Sequence, residues 1–67
     1  MIDIGENIRE IRKLKGMTQK ELGEKTGLTK DYIGALERGK MQNPSLQTMK
    51  KLSEALDTSI MDLFFSE

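Results

Sequence analysis

The sequence predicts an all-α domain, and three observations carry that prediction. No stretch alternates apolar and polar residues as a half-buried strand does. Apolar residues instead recur at spacings of three and four. A capping residue stands before each of five segments, and most of these close on a glycine or a turn. With 67 residues the chain is expected to be one domain, 1–67, burying only about 60% of its unfolded surface, so its stability is thin.

Asp3 and Glu6 cap the first helix, in which Ile4, Ile8, Ile11 and Leu14 repeat at helical spacing until Gly16 stops it. Thr18-Gln19-Lys20-Glu21 is a capping box, whose threonine oxygen and glutamate side chain satisfy each other's orphan amides. It opens a second helix running to about Thr26. Gly27 sits where a left-handed turn residue is wanted, and Thr29 caps a third helix that runs through Glu37 and ends at Gly39. The segment KMQNPS is the one real loop, and Pro44 is tolerated there at or before the first position of a helix. Ser45 caps a fourth helix carrying Leu46, Met49, Leu52 and Leu56, and Ser59 with Asp62 caps a short fifth one.

Glycines at 23, 27 and 34 fall in or between the second and third helices, where each would cost a helix interior roughly 1 kcal/mol against alanine. A helix-turn-helix accounts for two of them, because its helices cross steeply through a turn of three or four residues. Gly23 lies one turn before the bend, where no large side chain fits, and Gly27 supplies the positive φ of the turn itself. Leu22, Leu28, Ile33 and Leu36 have the spacing to close a small core beneath it. Gly34 falls on the face turned away from Ile33 and Leu36 and is expected to point outward. Two readings of it stand: a gap that lets a partner's backbone approach closely, and a tolerated surface glycine.

Composition narrows the function. Without Cys there is neither a disulfide nor a thiolate metal site, and without His the usual general base and zinc ligand are missing, so neither metal nor cofactor is expected. No apolar run reaches the roughly 20 residues of a membrane span, and Met1-Ile2-Asp3 lacks a secretory start, so the expectation is a cytoplasmic protein with no membrane partner. Eleven basic residues balance eleven acidic ones, but unevenly. Arg9, Arg12, Lys13, Lys15, Lys20, Lys25, Lys30, Arg38 and Lys40 face only Glu10, Glu21, Glu24, Asp31 and Glu37 in the first part, whereas residues 52–67 carry Glu54, Asp57, Asp62 and Glu67 and no base. A polarised chain of this kind is compatible with a phosphate-binding half, although helix-face solvation alone accounts for such charges as well.

The run IGENIREIRKLKGMTQKELGEKTGLTKDYIGALERGK, followed by NPSLQTMKKLSEAL and SIMDLF, resembles the phage-repressor-type family of Cro/CI or Xre-like helix-turn-helix transcriptional regulators. The likeness spans nearly the whole chain. It rests on the joint spacing of Thr18-Gln19, Glu21-Leu22, Gly27, Tyr32-Ile33, Glu37-Arg38-Gly39 and Pro44-Ser45-Leu46. Gly23 stands where the family more often has alanine, and Gly34 where a serine or other polar residue is frequent. The resemblance implies a five-helix, lambda-repressor-like DNA-binding domain, not an enzyme, that binds double-stranded DNA without a small-molecule ligand.

In that arrangement the third helix enters the major groove with its N-terminal residues at base edges, and the second crosses the backbone. Thr29, Lys30, Asp31, Gly34 and Ala35 are then the base-contact candidates. Lys30 suits guanine O6 and N7 and Asp31 suits cytosine N4, although an acid in a helix's first turn is also favoured by the macrodipole alone. Thr18 and Gln19 at the start of the second helix, Tyr32, and Arg38, Lys40, Gln42, Asn43 and Ser45 after the recognition helix are the phosphate-contact candidates, which position without specifying. For Tyr32, packing against the bundle is the main role. The resemblance further implies a partly buried ion pair between Arg12 and Glu37.

At the C-terminus Ile60, Leu63 and Phe64 are spaced to cover the core, while Met61 and Phe65 lie four apart on another face. That pair suggests a homodimer interface, which would set two recognition helices about one turn of DNA apart; the alternative is that Phe65 folds back over the core's end. Two function classes therefore stand. One is a dimeric, sequence-specific regulator on an inverted-repeat operator, and small members of the resembled family include controllers of restriction-modification genes, phage switches and antitoxins. The other is a protein-interaction module of the same fold with little or no DNA binding, to which the balanced net charge and Gly34 point.

Overall fold

The computed structural model describes residues 3–41 and 43–65, which leaves Gln42, one of the phosphate-contact candidates, outside the described residues. Four α-helices, α1 (Ile4–Leu14), α2 (Gln19–Thr26), α3 (Lys30–Glu37) and α4 (Leu46–Leu56), are followed by a π-helical turn at Met61–Phe65. No strand occurs among the described residues, and none of their helices is long and apolar enough to cross a membrane.

Each helix starts on the capping residue that the sequence marks. Asp3 Oδ1 accepts the Glu6 amide at 3.1 Å, Thr29 Oγ1 that of Tyr32 at 3.0 Å, Ser45 Oγ that of Thr48 at 3.2 Å and Ser59 Oγ that of Asp62 at 3.0 Å. The capping box at α2 is reciprocal: Thr18 Oγ1 accepts the Glu21 amide at 3.0 Å, and the Thr18 amide donates to Glu21 Oε1 at 2.9 Å. The bond from the Thr18 backbone amide first, and the Thr18 hydroxyl after it, hold the Glu21 carboxyl below its ordinary value. A group lowered by folding stabilises the fold fully above its unfolded value and loses that contribution as pH falls through its folded one. An NMR titration is therefore expected to find Glu21 ionising below the ordinary 4.5, and Glu21→Gln to flatten the stability profile on the acid side. A midpoint at or above 4.5 would contradict the capping geometry.

The core is one cluster. Ile8, Leu22, Ile33, Leu36, Leu52, Leu56 and Leu63 are fully buried and Phe64 nearly so, with Ile4, Ile11, Met17, Leu28, Tyr32, Met49, Ala55 and Ile60 packed around them. Two positions of the apolar pattern lie outside it. Leu14 is 84% exposed and Leu46, the first residue of α4, is 57% exposed. At about 100° per residue, Leu14 falls roughly 120° from Ile8, whereas Arg12 falls only about 40° from it. The inward position near the end of α1 therefore belongs to an arginine.

Two contacts fix the N-terminal part of α1 to the rest. Gly5 lies under the C-terminal end of α3, where an added Cβ would meet the carbonyl oxygens of Leu36 and Glu37. The Asn7 side-chain Nδ2 donates to the Asp62 and Leu63 carbonyl oxygens at 3.0 and 2.7 Å, satisfying backbone groups of the π-turn and seating Leu63 and Phe64 on the core. Met61 and Phe65, 66% and 57% exposed, remain on the outer side of that turn.

Candidate nucleic-acid interface

The bend between α2 and α3 is built from three residues, Gly23, Thr26 and Gly27. Thr26, buried in the last turn of α2, donates its hydroxyl to the Leu22 carbonyl at 2.8 Å and accepts the Leu28 amide at 3.2 Å. It thus ties the helix end to the chain beyond the turn. Gly27 follows in the left-handed region, φ 74° and ψ 7°, as the sequence predicts. Gly23 brings α2 against the start of α3: a Cβ there would sit 3.0 Å from the Leu28 oxygen and 3.2 Å from the Lys30 nitrogen, both backbone atoms. Thr26 carries no mark in the sequence beyond closing the helix. Its value lies in bridging backbone groups on both sides of the bend.

This bend sets α3 with Thr29, Lys30 and Asp31 exposed at its N-terminal end, Ala35 half-buried, and Ile33 and Leu36 in the core. Tyr32 is half-buried against the core, in line with a packing role for its ring. Gly34 requires a correction. Expected to point outward, it is buried, because side chains lie across it: a Cβ at this position would be 3.0 Å from the Arg38 guanidinium and 3.7–3.8 Å from the Gln19 carboxamide. The surface at the middle of α3 is therefore made by α2 and by the residue four positions on.

The remaining phosphate-contact candidates lie at the two flanks. Thr18 is exposed at the start of α2, and Arg38, Lys40, Asn43 and Ser45 are exposed after α3. The hydroxyls of Thr18, Thr29 and Ser45 already accept backbone amides as caps, and that of Ser45 also donates its own hydrogen to Thr48 Oγ1 at 3.1 Å. Gln19, half-buried, donates Nε2 to Glu37 Oε1 at 3.1 Å, so one hydrogen of its amide is engaged inside the domain.

Beneath this surface Arg12 and Glu37 form a two-bond ion pair, Nε to Oε2 at 2.6 Å and Nη2 to Oε1 at 3.1 Å, with side chains only 9% and 3% exposed. Arg12 Nη1 also donates to the Met17 carbonyl at 2.7 Å, so this one side chain joins α1, the loop before α2 and the end of α3. Every buried side-chain nitrogen and oxygen among the described residues has a partner. That completeness is what makes a buried pair tolerable.

Comparison with known proteins agrees with this geometry. The HTH-type transcriptional regulator SinR of Bacillus subtilis is 43% identical over 60 residues, which is 90% of this chain and 54% of SinR, so the chain spans about half the length of that relative. The crystal structure of the restriction-modification controller protein C.AhdI from Aeromonas hydrophila superposes with a TM-score of 0.87 at 40% identity, covering 94% of each chain. The structure of SinR, master regulator for biofilm formation, in complex with DNA superposes with a TM-score of 0.86 at 43% identity, covering 90% of this chain and 95% of that one. The helix-turn-helix family model matches residues 8–63. With the left-handed bend at Gly27, the exposed start of α3 and a match over most of its length, the chain belongs to the helix-turn-helix family.

Proposed function

We propose that this chain is a cytoplasmic transcriptional regulator that binds double-stranded DNA sequence-specifically, as a homodimer on an inverted-repeat operator, with α3 in the major groove. The observation that carries the reading is the exposure of Thr29, Lys30 and Asp31 at the end of α3 that the bend at Gly27 swings clear of the core. Lys30 donates to guanine and Asp31 accepts from cytosine, with Thr29 and Ala35 lining the same approach. Thr18, Tyr32, Lys40, Gln42, Asn43 and Ser45 hold the phosphates on either side. Likeness to a regulator solved in complex with DNA supports the partner. Exposed Met61 and Phe65 on the π-turn supply the contact between two copies. Bound to an operator, such a dimer acts by blocking or recruiting polymerase.

Selection from a random DNA pool tests it. The expected outcome is enrichment of an inverted repeat with G·C pairs in each half-site and half-site centres about 10 base pairs, or a multiple, apart. Recovery of sequences no different from the input would overturn the reading.

A further inference from the structure

We propose that Arg38 is a base-reading residue, directed at a guanine edge in the major groove, and that Gln19 is its positioning residue. This deepens the DNA-binding reading above and rests on it. The first ground is register. Asp31, Gly34 and Arg38 stand at i, i+3 and i+7, so at about 100° per residue they share one stripe some 60° wide, and Lys30 lies about 40° to its side. Arg38 is thus on the face that carries the base-contact candidates, although it follows the helix's last residue.

The second ground is direction. Helical side chains lean toward the N-terminus, so a residue at the end of a helix covers the turn before its own Cα. Arg38 does this: its Nη1 lies 3.0 Å from the place a Cβ of residue 34 would take. The absence of a side chain at Gly34 is what admits it. A planar donor fork therefore occupies the middle of α3, nearer the groove-facing end than its own backbone.

The third ground is support. The Gln19 carboxamide borders the same notch, its Oε1 3.7 Å and Nε2 3.8 Å from that Cβ position. Its Nε2 is braced on Glu37 Oε1 at 3.1 Å, and Glu37 is in turn fixed by Arg12. The wall beside the guanidinium is rigid, while the exposed guanidinium enters no ion pair among the described residues. Arginine's fork matches guanine O6 and N7 bidentately, which a lysine ammonium does not reproduce.

The test measures affinity of the full chain, by fluorescence anisotropy at several salt concentrations, for the sequence recovered from the random pool and for each of its single-base-pair variants. Wild type is expected to discriminate at one G·C pair by roughly tenfold or more that Arg38→Lys, with its charge kept, no longer distinguishes. Gly34→Ser, which fills the notch, is expected to lose discrimination at that same pair, and Gln19→Ala to weaken it there in part. Pairs read by Lys30 keep their preference in all three. An Arg38→Ala variant that loses affinity by one factor for every sequence, with a salt slope lower by about 0.9 and restored by Arg38→Lys, would make Arg38 a phosphate clamp and overturn the proposal while leaving the regulator reading intact. Full discrimination in Arg38→Lys would overturn it too. A wild-type chain that binds no DNA at low salt would overturn both together.

Discussion

Glu37→Ala is expected to lower the stability of the domain by about 3–5 kcal/mol, and Arg12→Ala by a similar amount. Truncating either partner strands the other in a place where both side chains are less than 10% exposed, cut off from the water that would compensate it. The loss is larger than for a lone pair because three elements meet there. Without Glu37, Gln19 loses its bond to the carboxylate, and Arg12 retains only the Met17 carbonyl. Native stability of a domain this size is about 3–10 kcal/mol, so such a loss is a large part of the whole. Each kcal/mol moves the melting temperature of a domain this small by about 4–8 °C, so a drop of 12 °C or more is expected by circular dichroism. Pairing the two removals as Arg12→Met with Glu37→Leu should recover much of it, because an apolar pair leaves no buried charge. A fall of less than about 1 kcal/mol in either single variant would show the pair to be solvated and the account of α3's anchoring to be wrong.

Gly5→Ala should be the most damaging substitution by a single methyl group. The added carbon would overlap the Leu36 carbonyl oxygen and lie 2.7 Å from that of Glu37, and both are backbone atoms that cannot swing aside. Relief requires α1 and α3 to move apart, which loosens the contacts of Ile8 and Leu36 as well. Overpacking of this kind costs about 3 kcal/mol, and alanine's better helix propensity returns roughly 1 kcal/mol of it. A net loss of about 2 kcal/mol is therefore expected in urea denaturation. At Gly34 the same change should have the opposite sign, because the atom in the way is the tip of an exposed arginine. A Gly5→Ala protein as stable as wild type would mean that α1 does not press on the end of α3.

Whatever depends on a residue and its immediate neighbours in the chain is legible in the sequence. The five caps and the left-handed turn at Gly27 are of this kind, since a cap is read three residues away and a positive φ needs only a glycine. The Arg12–Glu37 pair, 25 residues apart, is expected from the family resemblance and not from spacing. What the sequence conceals is set by elements that meet in three dimensions. Gly5 looks like an ordinary first-turn residue until α3 is laid across it. Leu14 reads as core because an apolar pattern does not reveal that an arginine takes the inward place. Gly34 reads as open surface because helical phase says where a Cβ would point and nothing about the neighbours that lean over it. A glycine at the inward phase of α1 was the available sign for Gly5, while Asn7 offered none.

Amide chemical shifts of the labelled chain, recorded as the selected operator duplex is added, test most directly whether the bend at Gly27 delivers α3 to DNA. The largest changes should fall on Thr29 to Ala35 and Arg38, with smaller ones at Thr18, Gln19 and from Lys40 to Ser45. Changes confined to α1 and the π-turn, with Lys30 and Asp31 unmoved, would contradict it.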